Sequence, residues 1–195
     1  MMLVGDVGAT KTLLEVGVLR DRRWCPAFGR RYAAAGHPDF DSVLRTFFQE
    51  WAGQRRAPVT IARACFGVAG PVFDNRAQMT NLALVVDGNA ICAGFGIPHV
   101  RVVNDCAAAA GGIEMLQDAD LVALQPGEPI PAAPRVVIGA GTGLGVAYLI
   151  WAGGGYHVIA GEAGHAGFAP STSEQLELWR DLYSRHGRVA VERVV

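Results

Sequence analysis

The sequence predicts an α/β protein, because strand-like apolar runs dominate its first part and alternating strands and helices follow. Two glycine-rich loops and one Asn-Asp pair, each following an apolar run, interrupt this pattern. The loops occupy residues 5–10 and 139–145, and the pair is Asn104-Asp105. The change of pattern after residue 110 predicts two domains, of residues 1–112 and 113–195.

Strands account for most of the expected elements. The first three apolar runs predict a β-meander around the first glycine loop, and a later hairpin turns at Asp74-Asn75. A proline-rich loop separates the strands expected at 121–124 and 136–138. The strand-like runs are residues 3–4, 13–19, 24–32, 61–68, the arms of the hairpin 72–80, and 99–103, 121–124, 136–138 and 146–151.

Helical spacing of apolar residues appears in three places. It predicts helices over residues 39–51, 106–116 and 175–183. Asp39 or Asp41 is expected to cap the first of these helices. Along the third helix, Leu176, Trp179 and Leu182 fall near one face.

Composition and charge exclude several classes of protein. A formal net charge of −1 gives no basic excess, so nucleic-acid binding is not expected. The 4 cysteines form no CxxC pair and are expected to be buried free thiols in a reducing cytoplasm. The stretch between Arg135 and Glu162 is uncharged and long enough to cross a membrane. Its glycines recur with period two, however, and favour a buried β-hairpin. We therefore expect a cytoplasmic protein without a membrane segment.

The first glycine loop differs from a P-loop. Thr10, rather than glycine, precedes Lys11, and the following residues are strand-like rather than helical. A strand–loop–strand anion site is one interpretation, in which Asp6 faces a metal ion or its water. An ordinary hairpin turn is the other, and this loop by itself favours the turn.

The second glycine loop differs from a dinucleotide-binding motif. Leu144 stands where that motif needs a small residue, and a strand-like run follows. Glycines weaken a strand unless the backbone must bend or approach a ligand closely. The four alternating glycines therefore favour a ligand-binding role for this loop.

The Asn104-Asp105 pair stands where a strand ends and a helix begins. Both residue types are common helix N-caps, and the pair by itself favours that interpretation. The functional alternative makes Asp105 a general base for a hydroxyl nucleophile. A helix N-terminus favours the ionised carboxylate, so Asp105 would act mainly by position and late proton acceptance.

Residues 161–165 place Glu162 and His165 three positions apart, with two small residues between them. This pairing of an acceptor with an imidazole suits the vicinal hydroxyls of a sugar, and the small residues would let the ligand approach closely. A zinc site would need more ligands than one Glu and one His. Asn81 is either a turn residue or a sugar contact, and the sequence leaves both open.

Taken in order, these segments resemble those of the bacterial glucokinase family. The resemblance implies an actin-like ATPase (ribonuclease H-like) fold, with a small N-terminal domain and an incomplete large domain. It also implies transfer of a phosphoryl group from ATP, with Mg²⁺, to the 6-hydroxyl of glucose. The motifs that carry it are residues 5–10, 70–71, 79–81, 103–105, 139–145, 161–165, 168–170 and 192–194.

The resemblance assigns a role to each motif. Asp105 would be the general base, and Asp6 would contact Mg²⁺ indirectly. The residues that would bind the sugar are Asn81, Asn104, Asp105, Glu162, His165 and Glu192. The residues that would bind the nucleotide phosphates are Gly5, Asp6, Val7, Gly8, Ala9, Thr10, Gly139, Gly141, Thr142 and Gly143.

Two departures from the family pattern bear on activity. Ala9 and Lys11 stand where the family commonly has glycine and asparagine, which puts nucleotide affinity in question. The apolar run at Val194-Val195 predicts a chain truncated at its C-terminus. The resemblance then implies that the adenosine-binding segment is missing, so that activity of this chain alone is in question and marginal stability is expected.

Two other functions stay open, and a third is disfavoured by the sequence. A non-catalytic sugar-binding or sensor protein of the same fold would keep Glu162 and His165, and a related hexose or N-acetylhexosamine kinase would share the motifs. Proteins of the repressor/open-reading-frame/kinase family carry a cysteine-rich zinc motif, but no cysteine follows His165 here. Glucose and ATP are the expected partners, and a homodimer is possible.

Overall fold

A computed structural model describes residues 1–21, 23–54, 59–79, 84–141 and 143–195. The chain forms two compact units, Met1–Leu121 and Val122–Val195. The domain boundary expected after residue 112 stays a prediction. The described strands are β1 (Met2–Val7), β2 (Lys11–Arg20), β3 (Arg23–Ala33), β4 (Arg63–Val68), β5 (Val72–Phe73), β6 (Arg76–Gln78), β7 (Val85–Asp87), β8 (His99–Asn104), β9 (Arg135–Ala140), β10 (Leu144–Ala152) and β11 (Gly155–Gly161).

The first unit is built on a five-stranded sheet with the order β3-β2-β1-β4-β8. Strands β1, β2 and β3 pair antiparallel, which confirms the predicted meander. Strands β4 and β8 then add in parallel to β1. The carboxyl ends of β1, β4 and β8 therefore meet at one edge of the sheet.

The described helices are α1 (Phe40–Gln54), α2 (Gly88–Phe95), α3 (Asp105–Gly112) and α4 (Ser173–His186). Helix α1 is predicted correctly, and Asp39 caps it by accepting from the N–H of Ser42 at 2.7 Å. Helix α3 is shorter than predicted and continues as a 3₁₀ turn over Ile113–Met115. Two adjacent glycines at its end disfavour a further α-helical turn.

Helix α1 supplies much of the first unit's core. Its buried residues are Phe40, Val43, Leu44, Phe47 and Trp51. Phe40 meets Phe66 of β4 edge to face at 5.0 Å, and Phe47 meets Phe28 of β3 at 5.2 Å. Burial of each such side chain contributes about 1.5–3 kcal/mol. This packing holds the sheet rigid beneath the strand ends.

A short hairpin and a helix lie beside the edge strand β8. Strands β5 and β6 form the predicted hairpin, with Asp74 and Asn75 at φ +48° and +60°. Left-handed conformations at both central residues are typical of a type I′ turn. Strand β7 and helix α2 follow, and neither is predicted from the sequence. Asp87 caps α2 by accepting from the N–H groups of Asn89 and Ala90.

The second unit is built on an antiparallel sheet with the order β11-β10-β9. Gly153 and Gly154 form the turn between β10 and β11, with φ +59° and +87°. The expectation that this hairpin is buried is wrong for one of its faces. Ala147 and Leu149 of β10 are buried, whereas Ile138 is 65% and Ile159 52% exposed on the opposite face.

Helix α4 begins at the cap Thr172 and ends at Gly187 in a left-handed conformation, as helix C-termini commonly do. It extends the helix predicted over 175–183. Among the three residues expected on one face, Leu182 is buried and Leu176 is 39% exposed. The spacing therefore predicted the helix, while it did not predict how much of the apolar face would be covered.

The strand expected at residues 121–124 is wrong. These residues form no strand, and Val122 and Leu124 are 85% and 96% exposed. A strand needs a ladder partner, and the prolines that follow, such as Pro126 and Pro129, cannot donate backbone hydrogen bonds to one. High β-propensity in a short run did not overcome this.

The cysteines are free, as predicted, but they are not buried. Cys65 is exposed, and Cys25, Cys92 and Cys106 are partly exposed. On β4, Cys65 lies between the buried residues Ala64 and Phe66 and so points to the opposite face of the sheet. Within the described ranges, no helix combines the length and the apolar character needed to span a bilayer.

Candidate active site

The first glycine loop joins β1 to β2 as a strand–loop–strand turn. In this loop the N–H of Gly8 donates to the carbonyl of Lys11 at 3.0 Å, and the carbonyl of Thr10 accepts from the N–H of Ala34 at 3.0 Å. Among the described residues, the N–H groups of Ala9 and Thr10 form no backbone hydrogen bond. Both residues are exposed, so two adjacent amides are available to an anion.

Asp6 and the Asn104-Asp105 pair share one edge of the first sheet. Asp6 is the register partner of Gly67 on β4, and Gly67 is the partner of Val103 on β8. Ligands of open α/β sheets bind beyond the carboxyl ends of parallel strands, which is where these residues lie. The first loop and both acidic residues therefore come together in this unit.

Gly67 lets helix α3 lie close to the sheet. A Cβ at this position would be 3.1 Å from the Cβ of Ala108 and 3.6 Å from the Cα of Asp105. The absence of a side chain thus sets the distance between Asp105 and strand β4. The backbone of Asp105 therefore packs against β4 at Gly67.

Asn104 caps helix α3, so the structural interpretation of this residue is right. Its Oδ1 accepts from the N–H of Ala107 at 3.1 Å, and its Nδ2 donates to the carbonyl of Gly70 at 3.2 Å. Asp105 is exposed, and its Oδ1 accepts from the N–H of Cys106 at 2.7 Å. The cap fixes the helix start, and the helix start fixes the carboxylate of Asp105.

The second glycine loop is the turn between β9 and β10. The N–H of Gly141 donates to the carbonyl of Gly143 at 2.9 Å, and Gly139 faces Gly145 in the ladder. A strand follows the loop, which excludes a dinucleotide-binding βαβ turn. Thr142 and Asn81, two further predicted site residues, lie outside the described residues.

The two small residues between Glu162 and His165 belong to a 3₁₀ turn, Ala163–His165. A Cβ on Gly164 would be 2.0 Å from the carbonyl oxygen of Leu144. Packing of this turn against β10 therefore requires the glycine at 164. We expected the small residues to let a ligand approach closely, and the structure gives Gly164 a packing reason instead.

Three of the residues predicted to bind the sugar, Glu162, His165 and Glu192, form a cluster of side chains in the second unit. The Nδ1 of His165 is 2.8 Å from Oε1 of Glu192, and its Nε2 is 3.5 Å from Oε2 of Glu162. The side chains of Glu162, His165 and Glu192 are 67%, 57% and 28% exposed. The cluster thus offers carboxylate acceptors and an imidazole to a polar ligand from solvent.

Glu192 reaches His165 through a short antiparallel pairing of the chain. The N–H of Phe168 donates to Val189, and the N–H of Val191 donates to Ala166, both at 2.9 Å. These bonds hold the turn over Val191–Arg193 beside the turn that carries His165. The pairing thereby brings Glu192 and His165 together, although they are 27 residues apart in the sequence.

The cluster has two further neighbours, of which Arg188 was not predicted as a site residue and Gly143 was predicted only for the phosphate loop. Arg188 donates from Nη2 to the carbonyl of His165 at 2.7 Å and so supports the turn. A Cβ on Gly143 would be 3.0 Å from Oε2 of Glu192, so the second glycine loop adjoins the cluster. No spacing rule could predict either contact, because both depend on how distant segments pack.

The predicted metal contact at Asp6 fits one kind of ion. Within the described part of the chain, no three His, Cys, Asp or Glu side chains are grouped as metal ligands. Mg²⁺ is commonly held by one or two carboxylates together with substrate phosphates and water. Asp6, exposed beside the first glycine loop, could take that part. A groove of about 530 Å³ elsewhere in the first unit, against Cys65, His99 and Arg101, includes none of the predicted site residues.

Comparisons with known proteins agree with the resemblance. The Glucokinase family profile matches residues 3–195. A glucokinase of Nostoc punctiforme is 39% identical over 198 residues, which cover 100% of this chain and 57% of that protein. The chain thus spans somewhat more than half the length of the curated relatives that it matches.

Solved structures show the same fold. A glucokinase from an Antarctic psychrotroph superimposes with a TM-score of 0.82 at 24% identity, covering 99% of this chain and 59% of that one. A glucokinase of Balamuthia mandrillaris, determined in complex with glucose, superimposes with a TM-score of 0.69 at 21% identity over 100% of this chain and 59% of that one. These likenesses confirm the predicted α/β, actin-like ATPase fold.

Proposed function

The chain belongs to the glucokinase family, and we propose on that basis that the protein transfers the γ-phosphoryl group of ATP to the 6-hydroxyl of glucose. The family profile covers almost the whole chain, and a relative named glucokinase is 39% identical to it. The side-chain cluster of the second unit provides the structural support for this proposal.

The observation that carries the proposal is the placement of His165 between two carboxylates. Adjacent sugar hydroxyls each donate one hydrogen bond and accept up to two, so they need acceptors and a group that can donate or accept. Glu192 and Glu162 supply the acceptors, and His165, whose ring nitrogens lie 2.8 Å from Glu192 and 3.5 Å from Glu162, supplies the third group. All three side chains are accessible to a ligand from solvent.

Asp105 is proposed as the general base. In the transfer, the oxygen of the 6-hydroxyl forms a bond to the γ-phosphorus, and the bond from that phosphorus to the β–γ bridging oxygen breaks. ADP leaves with the bridging oxygen, and the proton of the hydroxyl passes to the carboxylate of Asp105. The proton is transferred late, and the position of the carboxylate contributes most, as is typical of phosphoryl transfer.

The glycine loops are proposed to bind the phosphates of ATP. The adjacent amides of Ala9 and Thr10 support this role for the first loop. Asp6 would hold Mg²⁺ through water, and the ion would neutralise phosphate charge when bound. Gly139, Gly141, Thr142 and Gly143 are assigned to the second phosphate loop. Asn81 and Asn104 are assigned to sugar hydroxyls, although Asn104 also caps α3.

The experiment that tests the function is the formation of sugar 6-phosphate by the purified full-length protein with MgATP. Glucose, mannose, fructose and N-acetylglucosamine would be compared in parallel. Product from glucose at the highest kcat/KM is the expected result. Preference for another sugar would favour a related hexose or N-acetylhexosamine kinase, and saturable glucose binding without product would favour a sugar-binding or sensor protein. A cytoplasmic location and a homodimer stay predictions.

A further inference from the structure

The turn of the β5–β6 hairpin contacts the edge of the five-stranded sheet through one side chain. Asn75 donates from Nδ2 to the carbonyl of Val100 at 3.0 Å and accepts at Oδ1 from the N–H of Val102 at 2.8 Å. Both backbone groups belong to β8, the edge strand of the sheet. The carboxamide therefore takes the donor and acceptor positions that a peptide group of one more parallel strand would take.

The surrounding backbone is shaped around this contact. Asn75 has φ +60°, a conformation that asparagine tolerates better than most residues. Its carbonyl accepts from the N–H of Gly88 at 2.9 Å. A Cβ on Gly88 would be 2.3 Å from Nδ2 of Asn75, so the glycine at the start of α2 leaves the space that the carboxamide fills.

Strand β8 leads directly into the Asn104-Asp105 pair. Val102 lies two residues before Asn104, which caps α3 and donates to the carbonyl of Gly70 at 3.2 Å. Gly70 lies in the connection between β4 and the hairpin. The hairpin segment is thus fastened to β8 at two points, by Asn75 near the middle of the strand and by Asn104 at its end.

We propose that Asn75 is a positioning residue for phosphoryl transfer, acting through strand β8 on the carboxylate of Asp105. This inference rests on the proposed function. An edge strand has no strand partner on one side, and without the carboxamide its outer backbone groups at Val100 and Val102 would bond to water. The strand end and the helix start that follows it would then hold Asp105 less firmly.

The expected effect is on turnover rather than on sugar affinity. A misplacement of about 1 Å at a reacting group costs about a hundredfold in rate, so loss of the Asn75 contact should lower kcat about tenfold to a hundredfold. Three of the side chains proposed to bind the sugar, Glu162, His165 and Glu192, belong to the second unit rather than to β8. The KM for glucose should therefore change less than kcat does, with a contribution from Asn104, which ends β8 and is itself assigned to a sugar hydroxyl.

Two substitutions in the full-length protein separate the side chain from the backbone of the turn. Asn75→Gly removes both hydrogen bonds to β8, together with the longer one of 3.4 Å from Nδ2 to Oδ1 of Asn89, and keeps a residue that adopts positive φ without strain. Asn75→Asp keeps an acceptor for the N–H of Val102 but places a carboxylate oxygen against the carbonyl of Val100. Asp74→Gly is the matched control, because Asp74 has φ +48° in the same turn and its side chain forms no hydrogen bond or ion pair with the described residues.

Amide hydrogen exchange provides the second readout. In Asn75→Gly, exchange at Val102 should accelerate, while exchange at Val16, a fully buried residue of β2, should keep its rate. A lower kcat with faster exchange confined to β8 and with an unchanged Asp74→Gly supports the proposal. Equal acceleration at Val16 would mean global destabilisation and would overturn it.

The remaining outcomes separate this inference from the proposed function. If Asn75→Gly keeps its kcat while Asp105→Asn has no turnover, Asn75 is not a positioning residue and the proposed function stands. An equal loss of kcat in Asp74→Gly would assign the effect to the turn and would also overturn the inference. If the unsubstituted protein phosphorylates no hexose, the proposed function fails, and the role of Asn75 fails with it.

Discussion

The two units hold their candidate site residues in different ways. In the first unit, Asp105 is fixed by backbone features: a strand end, a helix cap and the close approach at Gly67. In the second unit, His165 and its carboxylate neighbours contact one another through side chains that are partly exposed. Substitution of Asp105 should therefore act mainly on turnover, and substitution of His165 or its carboxylate neighbours should act on sugar affinity or on the fold of the turns that carry them.

The largest effect is expected at Asp105. Asp105→Ala should lower kcat by about 10²- to 10⁴-fold, since general base catalysis contributes rate factors of that size. Glucose binding, measured by isothermal titration calorimetry, should stay close to that of the unsubstituted protein. Asp105→Asn is the control that keeps the size and the helix N-terminal hydrogen bond. A near-normal kcat in either variant would refute the assigned role.

The next effect concerns the fold of the second unit. The Cβ introduced by Gly164→Ala would lie 2.0 Å from the carbonyl oxygen of Leu144. Because that oxygen belongs to the backbone of β10, it cannot move aside without distorting the strand. We expect a loss of about 1–3 kcal/mol in the free energy of unfolding, as for other overpacked sites. Urea denaturation would measure it. Gly167→Ala is the matched control, because a Cβ there meets nothing within 4 Å. Equal stability of the two variants would contradict the packing role of Gly164.

A smaller effect is expected at the second glycine loop. In Gly143→Ala, the new methyl group would lie 3.0 Å from Oε2 of Glu192 and would displace that carboxylate. Partial loss of a charge-assisted hydrogen bond should weaken glucose binding about fivefold. The control is Gly141→Ala in the same loop, where a Cβ meets nothing within 4 Å. If Gly141→Ala weakened glucose binding as much, the effect would belong to the loop rather than to Glu192.

The smallest effect is a response to pH that differs between the units. Burial, together with the charge of Glu50, raises the pKa of Tyr32 to about 12. In the unfolded chain Tyr32 ionises near its ordinary pKa of 10, whereas in the folded first unit it keeps its proton. Stability is therefore fully present below pH 10 and is lost as the pH rises from 10 towards 12.

Tyr32→Phe tests this response, because phenylalanine cannot ionise. The variant should lose less stability between pH 9 and 11 than the unsubstituted protein, by about a few tenths of a kcal/mol or more in urea titrations. The second unit should respond at the acid end instead. There the backbone N–H of Glu174 and the side chain of Thr172 lower the pKa of Glu174, so that this contribution is lost as the pH falls. Identical alkaline profiles for Tyr32→Phe and the unsubstituted protein would refute the role of Tyr32.

Local signals in the sequence were enough to predict much of the fold. Apolar spacing predicted α1 and the meander, and the left-handed pair Asp74-Asn75 marked a hairpin turn. These features depend on residues within a few positions of one another, so the sequence contains all the information they need. The strand expected at 121–124 failed because pairing depends on a partner strand that propensity does not supply.

The candidate site was predicted through the resemblance rather than through local pattern. By pattern alone, Asn104 indicated a helix cap, and the structure bears this out. The prediction that the cysteines are buried was wrong, because apolar neighbours in the sequence do not tell which face of a strand a residue occupies. Whether a side chain is buried depends on the face of the sheet that it occupies and on what packs against that face.

The sequence by itself determined the order of the strands, the turns and caps between them, and the family to which they belong. Only the tertiary structure decided which distant residues meet, such as Glu192 with His165 and Asn75 with strand β8. The physical reason is the distance along the chain between the residues that interact. Turns, caps and periodicity arise within about one or two helical turns of chain. A contact across 27 residues arises only when the intervening segments have packed.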